Sequence, residues 1–133
     1  MAAYQVQGRT WLILPVPLYD DTQLALQRAI SGSALRQQVL ANNLANAETP
    51  GFQRSDLDFH TTLAQAMKTG DPNSIENAAF TTQKDNQVLR ADGNGVDIDV
   101  ESANMAKNGL EYEALISVAK ARTSIIRSAM GLG

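Results

Sequence analysis

Two stretches of helical patterning, residues 22–47 and 100–130, dominate a chain of 133 residues. As continuous helices they would be about 39 Å and about 46 Å long at the usual rise per residue. Such lengths are out of proportion to a compact domain of this size and natural to a rod or bundle. In the first stretch Leu26, Ile30, Ala34, Leu40 or Ala41, and Leu44 recur near helical spacing, and Leu24, Leu35 and Val39 widen the apolar surface. In the second, Ala103, Ala106, Leu110, Ala114, Ser117 or Val118, Ala121 and Ile125 form a nearly heptad stripe, broadened by Met105, Leu115, Ile116, Ala119 and Ile126. The comparable lengths predict pairing over most of their span, with the middle of the chain looped out. The fold class expected is therefore mainly α: two long terminal helices in an elongated hairpin or coiled-coil-like bundle, and a partly irregular middle that becomes ordered on assembly.

The ends of these helices carry their own signals. Asp20 or Asp21 can cap the first. Gly32 interrupts it at a cost of about 1 kcal/mol relative to alanine. The stop is Thr49-Pro50-Gly51: proline has no backbone donor and disfavours helical geometry at Thr49, while Gly51 can take positive φ, which predicts a type II turn. Asp99 is the expected cap of the second helix. Glu101 near its start, and Lys120, Arg122 and Arg127 near its end, suit the helix dipole. Gly109 weakens that helix unless another backbone comes close. Four segments follow: an N-terminal extension at 1–19, a helix at 20–49, a turn with a short extended segment and connecting region at 50–99, and a second helix with its tail at 100–133.

The apolar run at residues 11–19 is too short to span a bilayer, contains two prolines and lacks a small-residue cleavage site. Residues 1–19 read as a flexible or weakly docked tail, or as a short apolar segment that docks on a partner. In the connecting region Leu57 and Phe59 alternate with Asp56 and Asp58, so a short strand would pack one face and leave an acidic edge in water. Leu63, Ala66 and Met67 offer a small helical stripe that ends at Gly70-Asp71-Pro72-Asn73. Beyond it Ile75, Phe80, Val88 and Leu89 are isolated anchors, which predicts a middle that is mobile alone or ordered against neighbours.

Fourteen acids against eleven bases give a net charge of -3, which argues against nucleic-acid binding through the overall field. There is no cysteine and His60 is the single histidine, so thiol chemistry, clustered histidine metal sites and a serine-histidine pair have little support. Asp58 beside His60 is a weak base-and-orienter signal. Asp92-Gly93-Asn94-Gly95 begins like a calcium loop, but Asp97 stands where the turn glycine is needed and Ala103 where the bidentate glutamate is needed. No catalysis, cofactor or metal is expected. Arg28, Arg36, Lys120, Arg122 and Arg127 could form a basic surface if the helices pair, although helix solubility explains them as well. Asn42, Asn43 and Asn46 are poor helix formers concentrated near a helix end. Locally they account for fraying and capping; in an assembly their amides would fix the register of adjacent helices.

Residues 40–52, Leu-Ala-Asn-Asn-Leu-Ala-Asn-Ala-Glu-Thr-Pro-Gly-Phe, resemble the N-terminal signature of bacterial flagellar rod, hook and related axial proteins. Gln-Arg-Ser-Asp-Leu-Asp-Phe at 53–59 more specifically resembles the FlgB family of proximal rod proteins, and residues 94–101 and 104–112 are similar to its C-terminal region. The resemblance covers about residues 20–130. It implies a structural subunit of the proximal rod of the flagellar basal body, not an enzyme, whose terminal helices form the inner layer of a tubular assembly and help transmit motor torque. The implied partners are other copies of itself, neighbouring rod and basal-body proteins, and the flagellar type III export apparatus, with no nucleic acid and no membrane span. The implied location is the periplasmic rod, after a cytoplasmic stage before export. Leu40, Asn42, Asn43, Leu44, Asn46, Thr49, Pro50 and Gly51 carry over as packing and boundary positions; Leu110, Ala114, Ala121 and Ile125 are the expected assembly positions of the second helix. Glu48 and Phe52 depart from the smaller acid or amide and the tyrosine common there. An independent helical adaptor or export-associated protein is the alternative.

Overall fold

The computed structural model describes residues 3–6, 9–12, 20–85 and 95–132. Its elements in chain order are β1 (Ala3–Val6), β2 (Arg9–Leu12), α1 (Asp21–Ala45), β3 (Ser55–Asp56), α2 (Phe59–Lys68), α3 (Pro72–Glu76), β4 (Gln83–Lys84) and α4 (Ile98–Ala129). Within the N-terminal extension β1 and β2 pair antiparallel, with Ala3 opposite Leu12 and Val6 opposite Arg9, while residues 13–19 of the apolar run lie outside the described residues. Among the described residues no helix is long and apolar enough to cross a membrane.

Local chemistry sets the helix ends. The Asp20 carboxylate accepts from the Gln23 amide at 2.8 Å and starts α1. Its last turn tightens where the Asn46 amide is shared between the Asn42 and Asn43 carbonyls, so α1 closes at Ala45, two residues before the expected end. The Phe52 amide then donates to the Thr49 carbonyl at 3.1 Å, with Gly51 at φ 74°, as a type II turn requires. α4 begins earlier than expected: the cap is Asp97, whose carboxylate takes the Asp99 and Val100 amides, while Asp99 lies inside the first turn. At the far end Gly131 is at φ 71°, and the Leu132 and Gly131 amides return to the Arg127 and Ser128 carbonyls, a Schellman closure.

α1 and α4 pair as an antiparallel hairpin, and α1 is the shared element. α4 runs along one side of it; α2, α3 and β3 lie against another. The most deeply covered face of α1 is Ala25, Ala29, Gly32, Ser33, Leu40 and Asn43, with Ala47 just beyond its end. The larger residues expected to form its stripe, Leu26, Ile30, Ala34 and Leu44, flank that face and are half-buried. Small side chains at the centre let neighbouring elements come close on both sides. The principal core comprises Ala25, Ala29, Leu57, Phe59, Leu63 and Ile75, with Phe80 and Leu115 packed on it. Leu57 and Phe59 are thus buried, as expected, but not along one strand: β3 stops at Asp56, Phe59 opens α2, and Asp56, expected in water, is paired with Arg36. Ile75 and Phe80 do act as anchors. The connecting region is partly irregular, yet through Asp85 it is seated on α1 within one chain. Val88, Leu89 and Asp92-Gly93-Asn94 lie outside the described residues.

Gly32 is where this packing is tightest. A Cβ there would lie 2.6 Å from Cγ of Phe59, which is 1% exposed. The ring occupies the space that any other residue's side chain would need. Gly32→Ala is therefore expected to lose about 1–3 kcal/mol by overpacking, despite alanine's better helix propensity. Urea denaturation measures this, and an unchanged or higher midpoint would show that Phe59 does not seat there. Gly109, by contrast, has no such neighbour among the described residues.

Candidate assembly site

Past the turn the chain doubles back along the last turns of α1, which brings the Ser55 backbone to Asn43. The Asn43 Oδ1 accepts from the Ser55 amide at 3.0 Å, and its Nδ2 donates to the Ser55 carbonyl at 2.7 Å and to Oε2 of Glu101 at 3.0 Å. One side-chain amide thereby satisfies both backbone groups of a residue that lies on no long sheet. Arg54 completes the clamp: Nε donates to Oε1 of Glu101 at 2.7 Å, Nη1 to Asp85 at 2.6 Å, and its carbonyl accepts from the Asp85 amide at 2.9 Å. Arg36 grips Asp56 with two parallel bonds of 3.0 and 3.1 Å. The end of α1, the β3 segment, the residue after β4 and the first turns of α4 are joined by these contacts. Asn43 and Glu101 are each 1% exposed, so both depend on their partners.

Seven residues further along α4, Asn108 repeats the device. Its Nδ2 donates to the Ser33 carbonyl at 2.9 Å and to Oε1 of Gln37 at 2.7 Å, and it too is 1% exposed. Asp20 and Arg122 pair at the other end of the helices. Contacts from 43 to 101, 33 to 108 and 20 to 122 run in opposite senses, as an antiparallel pair demands.

The second helix meets α1 with the side opposite its apolar heptad stripe. At 100° per residue, Ala103, Ala106, Leu110, Ala114, Ala121 and Ile125 fall opposite Glu101, Asn108 and Ala119. Leu110 is 70% and Ile125 69% exposed, and Ala114 and Ala121 are exposed as well. The heptad stripe is real but looks away from α1. Along the motif, Leu40 is fully buried and Asn43 internal, whereas Leu44 is half-buried and Asn42, Thr49, Pro50 and Gly51 are exposed. Asn46 is a local cap: its Nδ2 donates to the Asn42 carbonyl at 2.9 Å, and Thr49 donates to its Oδ1 at 3.4 Å. The sequence reading missed Ser33, Arg36, Arg54 and Asn108 as clamp residues and took Glu101 only as a dipole partner. The available signal was that Glu101 and Asn108 lie one heptad apart on the side of α4 away from its apolar stripe.

The remaining polar candidates are engaged elsewhere. Asp58 caps α2, accepting from the Thr61 amide at 3.1 Å and hydroxyl at 2.6 Å, and does not orient His60. His60 instead stacks on Phe59 and faces Glu111 at 3.0 Å. Arg28 donates to the Ala78 carbonyl and lies over the Phe80 ring. With Arg36 and Arg122 also paired, the basic surface reduces to Lys120 and Arg127. Among the described residues no group of three His, Asp or Glu side chains could hold a metal.

The clamp makes stability depend on acid. Burial alone would raise the Asp56 carboxyl, but the Arg36 hydrogen bonds, the Leu57 amide and the nearby charges hold it below its usual 3.8. The Thr61 hydroxyl and amide likewise depress Asp58. A carboxyl whose pKa is lower when folded contributes stability that is complete above the unfolded value and lost as pH falls through the folded one. The urea midpoint is therefore expected to fall progressively below about pH 4, and Asp56→Asn to flatten part of that slope. A midpoint constant between pH 6 and 3 would contradict the ion pair.

A family model described as flagella basal body rod protein matches residues 24–53, which is α1 from Leu24 through the turn to Gln53. That places α1 and its stop signal in the class of flagellar basal-body rod proteins. The flagellar basal body rod protein FlgB of Yersinia enterocolitica is 37% identical over 110 residues, spanning 69% of this chain and 80% of that protein. Its namesake in Escherichia coli (strain K12) is 36% identical over 109 residues, with 68% and 79% covered. In Bacillus subtilis (strain 168) the figures are 28% over 109 residues, with 74% and 84% covered. The chain belongs to the FlgB family of flagellar basal-body rod proteins.

Proposed function

We propose that this chain is a structural subunit of the proximal rod, assembling through its terminal helices with further copies of itself and with neighbouring rod and basal-body proteins, and helping to transmit motor torque. The observation that carries the reading is the outer face of α4, where Leu110, Val118 and Ile125 stand exposed on a helix whose other side is already occupied. A helix apolar on two opposite sides is suited to lie between neighbours. Covering each such side chain contributes about 1.5–3 kcal/mol. Ala114 and Ala121 between them let a neighbouring helix approach, and exposed Asn42 offers a directional contact from α1. The subunit starts in the cytoplasm, leaves through the flagellar type III export apparatus and assembles in the periplasm. No cofactor enters this function.

Leu110→Asp and Ile125→Asp test it, because both positions are exposed in the single chain. The expected result is an unchanged thermal midpoint for the purified variants and at least a tenfold loss of incorporation into basal bodies, with swimming lost. Normal incorporation of both would refute the outer face as the assembly surface. Loss of export in cells that still build complete rods would point instead to an adaptor of the export process.

A further inference from the structure

The outer stripe accounts for lateral neighbours; the two ends of α4 carry a different and complementary pair of surfaces. Beside its last turns lies a groove of about 530 Å³, with Ile116, Ala119 and Leu132 as apolar walls and Lys120, Thr123 and Arg127 as polar ones. The Schellman closure holds Leu132 back along the helix, where it bounds the groove. Lys120 and Arg127 are exposed and seven residues apart on one side. Unlike Arg122, which is tied to Asp20, neither has an ion pair among the described residues. The groove is thus apolar inside and basic at its rim.

The first turn of α4 has the opposite character. Ile98 and Val100 are 47% and 53% exposed and flank exposed Asp99. No lysine or arginine occurs from residue 95 through residue 106. We propose that the basic groove at the end of α4 receives the first turn of α4 of a second copy, with Asp99 set against Lys120 and Arg127 and the adjacent, more exposed Val100 side chain in the groove. This rests on the rod reading above and names one of its contacts. Charge complementarity selects the occupant, since the matching acidic and apolar segment is present on every copy. Because the contact joins two different patches, it does not close into a two-fold dimer but links successive copies into a ring or an open array.

The test is a charge exchange in the full chain, read by incorporation into basal bodies of cells lacking the native copy and by sedimentation of the purified protein. Arg127→Glu and Asp99→Lys are each expected to lower incorporation at least tenfold while circular dichroism stays unchanged. Combined in one chain they are expected to recover most of it, because every contact again joins opposite charges. Normal incorporation of both single variants would overturn the proposal. So would a combined variant as defective as Arg127→Glu alone, which would assign the groove to an acidic segment of a different protein. If the unaltered chain itself fails to enter basal bodies, the rod reading falls; if it enters and the variants enter equally, only the end contact falls.

Discussion

Glu101→Ala is expected to cost about 3–5 kcal/mol, the range for breaking one side of a buried ion pair. The substitution removes a carboxylate that satisfies Arg54 through one oxygen and Asn43 through the other. Arg54, with a side chain only 16% exposed, keeps Asp85 and a longer contact of 3.6 Å with Asp56 but loses its buried acid, and the Asn43 amide loses a partner. Chemical denaturation should show a lower midpoint with an unchanged slope, and hydrogen exchange should rise first at the start of α4. Glu101→Gln keeps the shape but gives Arg54 a neutral amide, so its loss should be smaller. A cost for Glu101→Ala below about 1 kcal/mol would mean that the start of α4 is held by packing rather than by the clamp.

Phe59→Ala is the second large effect, expected at about 3–5 kcal/mol from lost transfer energy and the cavity left behind. The ring lies between α1 and Phe80, its centroid 6.1 Å from that of Phe80 in an edge-on arrangement. Gly32 has no side chain with which to fill the gap, so collapse requires a backbone shift. The damage should be uneven: exchange protection is expected to vanish across α2 and α3 while much of the α1–α4 pair persists. Equal loss of protection in all four helices would show that the connecting region and the hairpin form one cooperative unit.

The parts of this structure legible in the sequence were those specified locally. Asp20 and Pro50-Gly51 act within a few residues, and each does what its chemistry dictates; the alternation around Leu57 and Phe59 showed which side chains are buried but not that Phe59 starts a helix or that Asp56 meets Arg36. Asp97 was missed as a cap because two aspartates two residues apart offer the same carboxylate, and only the backbone path decides between them. The helix faces were harder for a different reason. Periodicity shows that α4 has an apolar stripe; it does not show whether that stripe meets α1 or another molecule. Here the stripe points outward and the contact with α1 uses Asn108 and Glu101, residue types that usually mark a wet surface. The Arg54–Glu101 contact spans 47 positions in the chain and leaves no local trace. Gly32 was legible only as a helix weakness, because its compensation, the Phe59 ring, comes from another segment.

Two helices meeting across a smooth oily seam can creep past one another under load, since one aliphatic contact is readily exchanged for the next. The α1–α4 seam instead carries teeth. The Asn43–Glu101 and Asn108–Gln37 contacts sit one heptad apart on α4, about 10.5 Å along its axis. A slip of a single turn, about 5.4 Å, takes both sets of polar groups off their partners together, and the buried Asn43, Glu101 and Asn108 side chains lose the bonds that offset their burial. Shear between the helices thus meets a steep early resistance. Axial stiffness is built into each hairpin by two hydrogen-bonded layers, before any neighbour is added.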